Sequence, residues 1–266
     1  SLAYAFMGFA LILYRYGMDT ALMKYSVQKE GLERKKYITL IIVTQFITSF
    51  LFTSIIYFTR LSTAEYVLGT YQPDWISYLA IILFFDALWN LPLLILRSEE
   101  KAYPYIFLSL LNVILTMVLN VMFVVYWEQG IEGVFKANII ASAFIFLVSL
   151  PIIIKRMVFD FFEKDIFFKV TQFALPFLPA GIFTMIMELS DRYLLEFYLS
   201  TAEVGLYSAG KKMGMLGLTI VMGFNMGWTH FFLKQGEDKN ARIQFSKIAT
   251  LFLGFMGYVT LVVSLW

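Results

Sequence analysis

"WISYLAIILFFDALWNLPLLIL" spans residues 75–96 and contains one charged side chain, that of Asp86. A helix that crosses a bilayer needs roughly 20 mostly apolar residues, because the hydrocarbon core is about 30 Å thick and each helical residue rises about 1.5 Å. A membrane β-strand would instead show about 10 residues of alternating polarity. The stretch therefore predicts a membrane-spanning helix.

Seven further stretches have the same character. The eight predicted spans are 2–24, 37–59, 75–96, 103–127, 134–154, 170–196, 204–233 and 245–266. The composition agrees, because 60% of the 266 residues are hydrophobic and 15% are charged, whereas soluble domains average about 45–50% apolar and about 25% charged residues. The sequence predicts an all-α fold, a polytopic transmembrane helical bundle of about eight helices.

Basic residues lie mainly in alternate gaps between the predicted spans. Fifteen of the 21 Lys and Arg residues follow the first, third, fifth and seventh spans: Lys24, Lys29, Arg34, Lys35, Lys36, Arg97, Lys101, Lys155, Arg156, Lys164, Lys169, Lys234, Lys239, Arg242 and Lys247. Positively charged loops remain in the cytoplasm. We therefore expect these gaps to be cytoplasmic, and the first span to run from outside to inside.

The longest predicted cytoplasmic segment is "KRMVFDFFEKDIFFK" at 155–169, where charges alternate with phenylalanines. This pattern is typical of an amphipathic helix lying on a membrane surface. We expect residues 157–169 to link an N-terminal helical bundle, 1–156, to the start of a pseudo-symmetric C-terminal bundle, 170–266. The chain begins with Ser and ends within an apolar run, so we expect a piece of a longer protein.

Several other classes of function find no support in the sequence. A net charge of +2 gives little attraction for nucleic acid. The absence of Cys and the single histidine, His230, leave no residue set for a zinc site or a catalytic triad. The longest predicted outer loop, 60–74, is too short for a catalytic domain. We expect neither an enzyme nor a bound metal or cofactor.

Charged residues interrupt the sixth and seventh predicted spans. A charge at mid-span costs about 2.5–3.5 kcal/mol on insertion scales, so such residues usually face a bundle interior or a water-filled cavity. Asp191-Arg192 and Lys211-Lys212 are equally far from the turn between these spans, so an antiparallel hairpin would place them at one depth. Glu188 lies one helical turn from Arg192. Alternatively, the basic side chains extend to the outer headgroups and Asp191 neutralises one of them.

Two other polar pairs have the i, i+4 spacing that places side chains on one helix face. Arg15 and Asp19 lie near the cytoplasmic end of the first span, where they would either line a cavity or set the depth of the helix. Asp86 and Asn90 lie in the middle of the third span. Asp86 is a candidate ion or proton site, and a local hydrogen-bonded pair is the alternative.

One block of sequence points to a family. "LPFLPAGIFTMIMELSDRYLLEFYLSTAEVGLYSAGKKMG" at 175–214 resembles the seventh and eighth helices of polysaccharide or O-antigen-type flippases, in the multidrug/oligosaccharidyl-lipid/polysaccharide exporter superfamily. The matching features are Leu175-Pro176, Asp191-Arg192, Val-Gly-Leu-Tyr-Ser at 204–208, and Lys211 or Lys212. The resemblance implies that the spans are helices two to nine of a protein with twelve to fourteen.

The resemblance also implies a function. Flippases of this family move undecaprenyl-pyrophosphate-linked oligosaccharides from the inner to the outer leaflet of the bacterial inner membrane, for polysaccharide export. Combined with the charges inside the spans, this function leads us to expect a central cationic cavity, and its expected substrate-binding residues are Arg192, Lys211, Lys212 and Arg15. The expected supporting or ion-coupling residues are Asp191, Glu188, Asp86 and Asp19. The two bundles would alternate between inward-open and outward-open forms around this cavity.

Further expectations concern the energy source, the partners and the alternative functions. A proton or sodium gradient would drive the cycle, and the partners would be the lipid-linked oligosaccharide, membrane lipids and other polysaccharide-assembly proteins. A multidrug or cation antiporter of the same superfamily is the first alternative, although cationic drugs favour an acid-lined cavity. A membrane polysaccharide polymerase or ligase is the alternative from the enzymes.

Overall fold

Helices make up nearly all the regular structure of the computed structural model, which describes residues 2–65, 72–198, 201–235 and 241–265. The α-helices are α1 (Leu2–Arg15), α2 (Met18–Gln28), α3 (Gly31–Phe58), α4 (Arg60–Thr63), α5 (Pro73–Ser98), α6 (Ala102–Asn120), α7 (Gly130–Ile154), α8 (Lys164–Ala174), α9 (Phe177–Tyr198), α10 (Thr201–Gln235) and α11 (Ala241–Leu265). A π-helical turn, Val121–Tyr126, extends α6. These ranges contain no β-strand.

Six helical segments within the described ranges are long and apolar enough to cross a membrane, judged by length and composition alone. They are Gly31–Phe58, Pro73–Ser98, Ala102–Tyr126, Gly130–Ile154, Lys164–Met187 and Ala241–Val262. Each overlaps one of the eight predicted spans, which confirms the predicted all-α membrane bundle. The two other predicted spans are also helical, but 2–24 is interrupted and 204–233 lies in α10, which contains six glycines.

The first predicted span is two helices and not one. The α1 helix ends at Arg15 and α2 begins at Met18. Between them Gly17 has a φ of 82°, in the left-handed region that glycine adopts without a steric penalty. A Cβ atom at Gly17 would overlap the carbonyl oxygen of Ala174. The break therefore packs directly against the junction of α8 and α9.

The predicted amphipathic helix over 155–169 is wrong in its first half, because residues 155–163 are not helical and α8 begins at Lys164. Tertiary contacts hold the segment against α3 instead. Lys36 lies 2.5 Å from Glu163 and 3.7 Å from Asp160. The Val158 N–H donates to the Thr39 hydroxyl over 3.1 Å. These contacts join the non-helical segment to α3.

The chain divides into two compact units, residues 1–186 and 187–266. In the first unit α5 lies at the centre and packs against α1, α2, α3, α6 and α7. Ala137 and Ala141 of α7 are fully buried, one helical turn apart. Small residues at this spacing let helix backbones approach closely. In the second unit α10 and α11 pack together, with Phe224 stacked on Phe252 at 3.9 Å between ring centroids. The bundle boundaries expected from sequence stay a prediction.

Candidate functional site

A cavity of about 360 Å³ lies at the break between α1 and α2, within the first unit. Its lining residues come from α1, α2 and α9 and from the break itself: Gly8, Leu11, Ile12, Arg15, Gly17, Asp19, Thr20, Phe177, Ala180, Gly181 and Thr184. The volume falls within the roughly 300–1,000 Å³ that is usual for small-molecule sites. We call this space the break cavity.

Two glycines bring α1 and α9 close together around the break cavity. A Cβ atom at Gly8 would overlap the terminal methyl of Met185, and one at Gly181 would lie 2.8 Å from Cγ2 of Ile12. Larger side chains at either position would push the helices apart or fill the space. At these two positions the absence of a side chain leaves room for Met185 and Ile12 of the facing helix.

Arg15 brings a positive charge into the break cavity. It is the last residue of α1 and is half-buried. Its Nε atom is buried without a hydrogen-bond partner, and no ion pair joins the guanidinium to any side chain that the structure describes. Arginine keeps its charge in proteins, and its fork of N–H donors matches carboxylate and phosphate oxygens. The cavity is thus lined by an arginine whose Nε makes no hydrogen bond.

Asp19 lines the same cavity, but its carboxylate is already engaged. It lies in the first turn of α2, where the Thr20 N–H donates to Oδ1 over 2.8 Å. An acid in this position also interacts favourably with the helix dipole. The sequence predicted that Arg15 and Asp19 share one helix face. The break instead puts them on two helices, and within the described part of the chain they form no ion pair.

Asp86 belongs to a different part of the first unit. Its Oδ1 atom accepts hydrogen bonds from Nε1 of Trp89, at 3.0 Å, and from the hydroxyl of Ser142, at 2.6 Å. The second bond joins α5 to α7. Asp86 is not among the residues that line the break cavity. The structure therefore does not bring Asp86 together with Arg15.

The remaining predicted site residues belong to the second unit. Lys211 is half-buried in α10. The side chains of four others lie outside the described residues, although their backbones are part of α9 and α10: Glu188, Asp191, Arg192 and Lys212. The cationic cluster expected from Arg192 and the two lysines stays a prediction.

One polar contact beside Arg15 was not anticipated from the sequence. The buried amide of Gln45, on α3, donates from Nε2 to the backbone carbonyl oxygen of Tyr14. The signal was present, because Gln45, Ser49 and Thr53 recur every four residues within an otherwise apolar span. The same reasoning that singled out Asp86 and Asn90 would have found this stripe.

Comparisons with known proteins now place the chain. The model of the family described as "polysaccharide biosynthesis protein" matches residues 1–228. The chain belongs to this family. An uncharacterised membrane protein of Haemophilus influenzae is 26% identical over 202 residues, which covers 72% of this chain and 50% of that protein. The chain thus spans about half the length of this curated relative.

Two solved structures share the fold of this chain. One is the outward-facing conformation of a multidrug resistance MATE family transporter of the MOP superfamily, with a TM-score of 0.74 and 18% identity, covering 98% of this chain and 61% of that one. The other is a MOP superfamily transporter from Pyrococcus furiosus, with a TM-score of 0.71 and 17% identity, covering 87% and 54%. Its binding pocket is described as having reverse polarity, which suggests a different function for that protein. The family model confirms the polysaccharide family expected from the sequence, and the two structures share the fold.

Proposed function

We propose that the protein is a transporter that flips an undecaprenyl-pyrophosphate-linked oligosaccharide from the inner to the outer leaflet of a bacterial inner membrane. One observation carries the proposal: the Arg15 guanidinium lines a cavity of about 360 Å³ and has a buried Nε without a partner. Membership of a polysaccharide biosynthesis family supports a glycan as the cargo. The fold shared with a superfamily transporter supports transport of this glycan and not its chemical modification.

The charge of Arg15 favours an anionic group as the ligand of the break cavity. Two opposite unit charges 4 Å apart attract by about 1 kcal/mol in water and by about 4 kcal/mol at an effective dielectric constant near 20. A pyrophosphate carries several negative charges and accepts the paired hydrogen bonds that a guanidinium donates. Asp19 lines the same cavity and accepts a 2.8 Å bond from the Thr20 N–H, but it forms no ion pair with Arg15.

The other expected residues complete the proposal. Lys211, Lys212 and Arg192 would add cations for the pyrophosphate as the two bundles alternate in access. Asp191 and Glu188 would position these groups, and Asp86 would couple the cycle to a proton or sodium gradient. Membrane lipids and other polysaccharide-assembly proteins are the proposed partners.

The test compares Arg15→Gln with Arg15→Lys in the whole protein, reconstituted in lipid vesicles. Transport is followed with a fluorescent polyprenyl-pyrophosphate oligosaccharide, whose outer-leaflet fraction is quenched by a membrane-impermeant reductant. We expect Arg15→Gln to lower the initial rate at least tenfold and Arg15→Lys to retain an intermediate rate, because lysine keeps the charge but not the fork.

Arg60→Gln is the matched control. Arg60 lies outside the break cavity, with its guanidinium 4.5 Å from the Tyr57 ring centroid and 3.4 Å from the Ser77 hydroxyl. Its loss should leave transport within twofold. An Arg15→Gln protein that inserts normally and flips the oligosaccharide at the unaltered rate would refute the proposal. Transport of a cationic dye that depends on Asp19 would favour the antiporter alternative.

A further inference from the structure

A polar face of α3 lies in the middle of a membrane-spanning helix. Gln45 is 1% exposed, and Thr48 and Thr53 are half-buried. Polar side chains are costly within a membrane unless they find hydrogen-bond partners. The contacts of these three residues therefore show what this face of α3 stabilises.

All three residues contact the two neighbours of Arg15. The Gln45 amide donates to the carbonyl oxygen of Tyr14. The hydroxyls of Tyr14 and Thr53 are 2.9 Å apart, and those of Tyr16 and Thr48 are 3.2 Å apart. Both tyrosines are buried. The residues immediately before and after Arg15 are thus held on α3.

This arrangement directs Arg15 away from α3. Tyr14 lies in the last turn of α1, whereas Tyr16 lies in the break and has a positive φ of 29°. Tyr14 and Tyr16 contact α3, and Arg15 lines the cavity whose other wall is α9. The polar face of α3 thus contacts both neighbours of Arg15, while Arg15 itself lines the cavity.

Gln45 bonds to a backbone carbonyl that the break between α1 and α2 leaves free. In a continuous helix the Tyr14 carbonyl would accept a hydrogen bond from the N–H four residues later, at Met18. Met18 is instead the first residue of α2, and the next helical bond runs from the Ala21 N–H to the Gly17 carbonyl, at 3.0 Å. Within a bilayer a freed carbonyl must be satisfied by another group. The buried Gln45 amide provides the donor.

We propose that Gln45 is a positioning residue for Arg15: its hydrogen bond to the carbonyl freed at the break keeps the helix broken and holds the guanidinium in the break cavity. The inference rests on the proposed function in one respect, that Arg15 binds the anionic group of the cargo. The placement of residue 15 is a separate claim and is measured separately.

Thiol labelling tests the placement without any transport. The sequence contains no cysteine, so Arg15→Cys in the whole protein, made free of other cysteines, gives a unique reactive position. Its rate of reaction with a charged methanethiosulfonate reagent is measured with Gln45 intact and with Gln45→Met, which keeps the length but removes the donor. We expect Gln45→Met to change the labelling rate at least fivefold.

Ser49→Ala is the matched control, because the Ser49 hydroxyl lies 3.2 Å from Nε2 of Gln45 on the same helix. It should leave the labelling rate within twofold. A rate that is equally unchanged in Gln45→Met overturns the proposal. If Gln45→Met does not accumulate in the membrane, Tyr16→Phe removes one contact with α3 and keeps the ring. A change of at least twofold is then expected, and an unchanged rate overturns the proposal.

Transport by Gln45→Met with Arg15 present separates the two claims. We expect a KM at least fivefold higher, a turnover within twofold, and no additional loss when Gln45→Met is combined with Arg15→Gln. Altered labelling with unaltered oligosaccharide transport would support the positioning role while contradicting the proposed function. If Gln45→Met leaves the labelling rate unchanged but Arg15→Gln abolishes transport, the positioning role is contradicted and the proposed function is supported.

Discussion

The Arg156 guanidinium donates to both carboxylate oxygens of Glu99, with Nε 2.6 Å from Oε1, and so joins the end of α7 to the turn that follows α5. Arg34 of α3 and Lys101 lie 3.3 Å and 2.9 Å from the same carboxylate. Burial raises the pKa of Glu99, but hydrogen bonds and charges from Arg156 and Lys101 outweigh it and lower the pKa from 4.5 to about 2. One carboxylate therefore holds three helical segments together.

Stability should depend on pH through Glu99. Because its pKa is lower in the folded state, the carboxylate contributes its full stabilisation above about pH 4.5 and loses it as the pH falls towards 2. We expect the midpoint of thermal unfolding, measured on purified protein in detergent, to fall over this range. Glu99→Gln should unfold at a lower temperature at pH 7 and lose this component of the pH dependence.

Glu33→Gln is the matched control for that series. Glu33 pairs with Lys29 at 2.7 Å, but its side chain is 54% exposed, against 13% for Glu99. Exposed i, i+4 pairs contribute only about 0.3–0.5 kcal/mol, whereas breaking a fully buried pair costs roughly 3–5 kcal/mol. We expect about 2–3 kcal/mol for Glu99→Gln. Equal effects of the two substitutions would contradict the role given to Glu99.

Gly17→Ala should destabilise the protein more than Gly31→Ala. Both glycines have positive φ, 82° and 55°, a conformation that costs other residues roughly 1–2 kcal/mol. At Gly17 the added Cβ would also overlap the Ala174 carbonyl, whereas at Gly31 nothing lies within 4 Å. We expect the unfolding temperature to fall clearly further for Gly17→Ala. Similar temperatures would show that the break tolerates a side chain.

These contrasts show where reasoning from sequence succeeds and where it stops. The span at 75–96 is predictable, because apolar length alone makes a membrane helix. The break at Gly17 is not, since a glycine within an apolar run also fits a continuous helix, and the close approach of the Ala174 carbonyl is a tertiary contact. Arg15 and Asp19 both line the break cavity, but they do not share one helix face, because that expectation assumed an unbroken helix.

The segment before α8 shows a predicted helix that the structure does not form. Its alternation of charges and phenylalanines predicts a helix, and the pattern succeeds for Lys164–Ala174. It fails for 155–163, which are not helical and contact α3 through the Lys36–Glu163 ion pair and the bond from the Val158 N–H to Thr39. Such tertiary contacts leave no trace in local periodicity and override local propensity.

Asp86→Asn tests the proposed ion-coupling role. The Asp86 carboxylate accepts bonds from Trp89 and Ser142. An amide oxygen can accept the same bonds but cannot take up a proton. We expect Asp86→Asn to remove the response of vesicle transport to an imposed proton or sodium gradient while downhill exchange continues. Ser142→Ala, which loses the 2.6 Å bond but keeps the acid, should retain the response. Gradient dependence that survives in Asp86→Asn would exclude this residue.

Single replacement of Arg192, Lys211 and Lys212 by Gln tests the cationic level expected on α9 and α10. In two antiparallel helices, residues equally far from the connecting turn lie at equal depth in the membrane. If these cations face the cargo, each replacement should lower oligosaccharide transport several-fold. The difference from the unaltered protein should shrink at high salt, because salt screens the attraction between each cation and the anionic cargo. If they reach the headgroups, transport should match that of Lys136→Gln, whose lysine lies 3.4 Å from Glu132. Normal transport in all three variants would leave Arg15 as the cation that recognises the cargo.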